Sequence, residues 1–194
     1  MMADSLLPGE ASVSLNEARG WLRLGATTDD AVIAGLVRAA TNICEAFIGQ
    51  WLVVRAGEEE AELPADRILL GARPVVAVDG VTLLLADGSE QLLGETAYRV
   101  TIARDGSACV TVTDPGDAAR VRIAYRAGMA EGANGVPEAI RQGIVRMTQH
   151  LHDARDGAGA GPPAVIAALW QPWRRLTLGS GRWAALSRRC ARRG

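Results

Sequence analysis

Between residues 32 and 48, apolar side chains recur at steps of three and four: Val32, Ile33, Leu36, Val37, Ala40, Ile43, Cys44, Phe47 and Ile48. That spacing draws one stripe along about five helical turns. Thr28 has the hydroxyl expected of an N-cap, Asp29 and Asp30 suit the positive end of the helix dipole, and Gly49 supplies a stop. A shorter helix precedes it. Ser14 and Glu17 have capping-box spacing, and the pattern runs through Trp21 to about Leu24, where Gly25 ends it.

The period changes at Trp51. From there to about Arg126 the chain reads as short extended runs, WLVVR, RILLG, PVVAVDGVTLLL, YRVTI, ACVTVT and ARVRIAYR. Asp87-Gly88 between VTLLLA and SEQLL marks a hairpin. Arg104-Asp105-Gly106 and Asp114-Pro115-Gly116 mark further turns. Helical spacing then returns. Pro137 fits a first helical position, and Ile140, Ile144, Val145, Met147, Thr148 and Leu151 form a stripe to about residue 153. After the break DGAGAGPP, a last helix starts near Pro163 with Val165, Ile166, Leu169 and Trp170 apolar, and Pro172 should kink or end it.

The predicted class is α+β: mainly an α-helical bundle with a small antiparallel β-rich insertion between the second and third helices, and an extended C-terminal tail. The expected boundaries are residues 1–50 and 129–178 for the bundle, 51–128 for the insertion and 179–194 for the tail. A chain of 194 residues buries roughly 70% of its unfolded surface and needs no staples.

Charge adds an asymmetry. All 21 basic residues are Arg. Seven of them, Arg174, Arg175, Arg182, Arg188, Arg189, Arg192 and Arg193, lie after Trp170, where there is no Asp or Glu. Residues 1–169 therefore carry a net charge of −8. Three of the five Trp, Trp170, Trp173 and Trp183, share the basic end. Arg and Trp are enriched at binding hot spots, so one reading is a docking tail. The other is a tail helix packed on its own core with a solubilising end.

Catalytic signatures are missing from the sequence. Without Lys there is neither a GxxxxGK phosphate loop nor a Schiff-base amine. GAGAG at 157–161 follows a helix and meets Pro162-Pro163, which makes it a linker. His150 and His152 stand two apart on a helix and point to different faces, a poor metal pair. A small hydrolase using either His stays open as a competing class. Cys44, Cys109 and Cys190 are odd in number and contain no CxxC, so no zinc site or disulfide framework is expected. Cys44 reads as a small core hydrophobe. Glu58-Glu59-Glu60 with Glu62 reads as a solvated strand edge or loop rather than a cation site. No catalytic residue, cofactor or metal is predicted. The N-terminus has no signal-peptide pattern, and no apolar run approaches the roughly 18 residues that span a bilayer. A soluble protein made in the cytoplasm, with no membrane partner, is expected.

Several phrases resemble the head–tail connector, or adaptor, proteins of long-tailed phages, prophages and gene transfer agents. They are SLNEARGWLRLGATTDDAVIAGLVRAATNICEAFIGQWL, VRIAYRAG, VPEAIRQGIVRMTQHLHDARDG and PPAVIAALWQPWRRL. The resemblance covers most of residues 12–178. It implies a structural protein rather than an enzyme, a homododecameric ring beneath the portal protein at the head–tail junction, a docking platform for the stopper or tail-completion protein, and DNA passing through the lumen without sequence-specific binding. It further implies that the C-terminal segment reaches the portal, with Trp170, Trp173, Arg174, Arg175, Arg182 and Trp183 as docking residues. A stopper or tail-terminator protein, and a monomeric binding module with a basic Trp/Arg tail, are the alternatives.

Overall fold

The predicted order of elements recurs in the computed structural model, which describes residues 12–23, 30–65, 67–153 and 161–175. Helix α1 spans Leu15–Leu22. Ser14 Oγ accepts the Glu17 amide at 3.1 Å, as the capping-box spacing requires. The reciprocal bond is replaced, because the Glu17 carboxylate accepts from Arg141 at 2.8 Å and ties α1 to the third helix. The helix stops earlier than expected: Arg23 adopts the left-handed conformation at φ 54° and its N–H bonds to the Arg19 carbonyl. Gly25, Thr28 and Asp29 lie outside the described residues.

Helix α2, Asp30–Ile48, buries Ile33, Val37, Ala40, Cys44 and Ile48 along one seam. Val32 was expected on that stripe but is 58% exposed, because the seam starts one residue later. Burial pushes the Cys44 thiol pKa well above the usual thiol range, which keeps it an inert core group. By length and composition α2 is apolar enough to cross a membrane, a property the sequence reading missed by looking for an uninterrupted run. Here its seam packs against α1, α3 (Glu138–Asp153) and α4 (Ala164–Trp170). The stripe predicted for α3 is realised: Ile140, Ile144, Val145, Met147 and Thr148 are buried.

The β region forms two antiparallel sheets. One has the order β1-β7-β3-β4, with β1 Arg55–Glu62, β3 Val75–Leu84, β4 Glu90–Leu92 and β7 Arg120–Ala127. The other has the order β2-β6-β5, with β2 Ile68–Leu69, β5 Tyr98–Ile102 and β6 Ala108–Val112. The Asp87-Gly88 turn joins β3 to β4 as predicted, with Gly88 at φ 85°. Among the described residues helix takes 37% and strand 29%, so the fold is α+β as expected, with a β region of weight comparable to the bundle. That region also has its own core, centred on Val81, Val110, Val121 and Ile123, separate from the core of the helices.

One predicted strand shifts. WLVVR makes only an isolated bridge from Val53 to Ala130, and the strand begins at Arg55. The reason lies in where its backbone bonds go. The Trp51 amide bonds to the Arg73 carbonyl at 2.6 Å, the Leu52 amide to Glu45 Oε1 at 2.8 Å and the Val54 amide to the Ala130 carbonyl at 2.8 Å. These residues join bundle to sheets instead of joining a ladder.

Candidate assembly site

The C-terminal segment is fastened to its own chain as far as Arg175. Ile166 and Trp170 are the buried residues of α4. Trp170 is 0% exposed, and its Nε1 donates to the Ile140 carbonyl at 3.2 Å. Its ring lies 5.9 Å from that of Phe47, tilted by 51°. Gly143 makes the space, since a Cβ built there would overlap the indole Nε1 and Cε2. Pro172 ends the α-helix as expected, and one 3-10 turn, Gln171–Trp173, follows.

That turn seals the C-terminal end of α2. Gln50 Nε2 donates to the Trp173 carbonyl at 2.6 Å, and the Arg175 amide donates to the Ile48 carbonyl at 2.7 Å. Carbonyls of a last helical turn otherwise have no backbone partner. Gly49, at φ 69°, allows the approach, because a Cβ there would sit 2.8 Å from the Arg175 oxygen. The Arg174 guanidinium lies 5.1 Å from the Phe47 ring centroid, near the negative end of α2.

These positions sort the expected docking residues. Trp170 is a core residue, and the expectation that it meets a partner is corrected: Gly143, Ile140 and Phe47 already occupy its faces. Trp173 is half-buried, while Arg174 and Arg175 are exposed. Arg182 and Trp183 lie outside the described residues.

A buried polar junction holds the two cores together. Glu45, 8% exposed on α2, accepts from Leu52 N–H and from the two terminal guanidinium nitrogens of Arg55, each at 2.8 Å. Arg55 lies 4.0 Å over the Trp51 ring, and Trp51 stacks on Tyr125 with centroids 6.3 Å apart. Tyr125 donates its hydroxyl to Glu59, whose carboxylate also takes the Gly71 amide at 2.9 Å. Burial first, and the Glu59 carboxylate second, raise the Tyr125 pKa above the ordinary tyrosine range. Neither Glu45 nor Tyr125 was singled out from the sequence. Their only signal was a Glu on an apolar helix face and a Tyr in an alternating strand.

The acidic run is an edge strand, as read. Alternation splits it: Glu59 turns inward, while Glu58, Glu60 and Glu62 are exposed. Glu60 pairs with Arg120 at 2.8 Å and Arg122 at 3.0 Å, Arg122 reaches Glu90 at 2.9 Å, and Arg126 meets Asp79 at 3.1 Å. The Arg side chains of this face are thus neutralised in place. Among the described residues no three His, Cys, Asp or Glu are grouped to hold a metal ion. His152 Nδ1 lies 3.3 Å from Asp153 Oδ1 and His150 is half-buried.

The model of the head completion protein family matches residues 12–158. The chain belongs to that family. No curated protein matches the sequence. Among solved structures, a chain from the "Neck of empty GTA particle computed with C6 symmetry" aligns with TM-score 0.72 at 24% identity, over 94% of this head completion protein and 100% of that chain. One from the "Neck of native GTA particle computed with C12 symmetry" gives 0.71 at 23%, over 94% and 100%. One from the "Virion of native gene transfer agent (GTA) particle" gives 0.69 at 24%, over 93% and 98%. At these identities the likeness establishes the shared fold.

Proposed function

We propose that this head completion protein is the head–tail connector of a phage-like particle: twelve copies form a ring beneath the portal, hold the stopper or tail-completion protein on the other side, and leave a lumen for DNA. The observation that carries this reading is the family match over residues 12–158, joined to a fold shared along the full length of a chain from the neck of a gene transfer agent particle. The role is structural rather than catalytic. It is supported by the β1–β7–β3 face, where Arg120, Arg122 and Arg126 are spent on in-chain ion pairs, and by a net charge of −8 over residues 1–169, since a negative lumen does not retain phosphates.

Portal docking belongs to the end of the chain. The half-buried Trp173 and exposed Arg174 and Arg175 fix where the tail departs, at the C-terminal end of α2. The 19 residues beyond carry Arg182, Trp183 and four more Arg with no acid. Arg forks and a Trp ring suit a groove on a partner. In co-sedimentation with purified portal rings, the full chain should bind and a chain ending at Arg175 should bind at least tenfold more weakly. Equal binding by both would remove the tail from the docking role, and no binding by the full chain would count against the connector reading.

A further inference from the structure

Two strands leave long open edges. In β1, the bond from the Leu63 amide to the Ala119 carbonyl extends the β1–β7 ladder. Antiparallel bonding alternates, so residues 57, 59 and 61 bond to β7. Ala56, Glu58, Glu60 and Glu62 then turn their amides and carbonyls outward. In β5, the bonds Ala103 N–H to Ser107 and Thr113 N–H to Ala97 bracket the β5–β6 ladder. Arg99 and Thr101 therefore bond to β6, while Tyr98, Val100 and Ile102 face the open edge. Among the described residues no backbone bond reaches either edge from another strand. The remaining edge strands, β2 and β4, are only two and three residues long.

The two edges differ in charge. β1 exposes Glu58 and Glu62, which make no ion pair among the described residues. β5 exposes Arg99, followed by Arg104 in the turn, and neither makes an ion pair among the described residues. A row of Glu repels a second β1 and so blunts pairing of like with like. An edge carrying Arg fits it. In a parallel pairing, where an edge-facing residue of one strand stands opposite a residue of the other that bonds within its own sheet, the exposed faces align and Arg99 lies over the Glu58–Glu62 row, bringing opposite charges together.

We propose that β5 of one copy adds in parallel to β1 of the next, so that β2-β6-β5 continues into β1-β7-β3-β4 across the subunit boundary. The inference rests on the ring reading above. A contact between two different edges of identical chains is head-to-tail, and it closes into a ring when the rotation allows.

The test uses particles from cells whose only copy of the chain is wild type, Ile102→Pro, Arg99→Glu, or Arg99→Glu with Glu58→Arg and Glu62→Arg. Proline at position 102 removes an amide that faces the open edge and leaves the bonds to β6 in place. Copies of the chain per portal are counted by quantitative mass spectrometry, and the melting temperature of each free chain is measured. Ile102→Pro and Arg99→Glu should cut copies at least tenfold, and the triple variant should return to within twofold of wild type. Should Ile102→Pro melt early, Arg99→Glu and its rescue decide alone. Wild-type copy numbers for Arg99→Glu, or a triple variant as poor as Arg99→Glu, would overturn the paired edges and leave the ring reading standing. Wild-type chain missing from particles would bring down the ring reading and this inference together.

Discussion

Gly143 and Trp170 are one structural unit made of two residues. The glycine leaves the notch and the indole fills it, with Nε1 bonded to the Ile140 carbonyl. Trp170→Ala should cost about 3–5 kcal/mol in urea unfolding, as deletion of a buried aromatic does. Gly143→Ala should cost about 1–3 kcal/mol through overpacking. In the Trp170→Ala background the same Gly143→Ala change should turn stabilising, because Ala is about 1 kcal/mol the better helix former once the ring is gone. A Gly143→Ala penalty that persists without the indole would contradict the notch. Tyr125 adds a pH dependence with a defined sign. Its folded-state pKa is raised, so its contribution is fully present below the ordinary tyrosine pKa near 10 and is lost as pH rises beyond it. Between pH 9 and 11 the urea midpoint should fall more steeply for wild type than for Tyr125→Phe, and parallel curves would show that the hydroxyl is not the group concerned.

At the level of elements, periodicity made α2, α3 and the β3–β4 hairpin legible, because each turns one face to a core and its turns use residues suited to φ above zero. What stayed hidden involved partners distant in sequence. WLVVR has strand composition, yet its backbone bonds to Arg73, Glu45 and Ala130, which no local pattern reveals. Trp170 drew notice as a docking residue because composition flags Trp and Arg together, while the notch that claims it lies 27 residues earlier, at Gly143. The acidic run was legible as an edge, but the inward turn of Glu59 toward Tyr125 was not. The Glu45–Arg55 pair decides how helices meet sheets. Glu45→Gln leaves Arg55 nearly buried without its partner and should cost about 3–5 kcal/mol, with Arg55→Met in the same chain recovering much of it. Equal stability of wild type and Glu45→Gln would show that the junction is held by packing alone.

For the whole molecule, the helical bundle and the two sheets are joined by that junction, and the tail leaves where they meet. This layout sets Trp173, Arg174 and Arg175 at one defined point of an acidic body, which suits the proposed connector role. The central claim is the connector role, and the copy number in assembled particles tests it most directly. Quantitative mass spectrometry of purified particles should find this chain and the portal protein in equal copies. Particles that carry the portal but lack this chain would contradict the account.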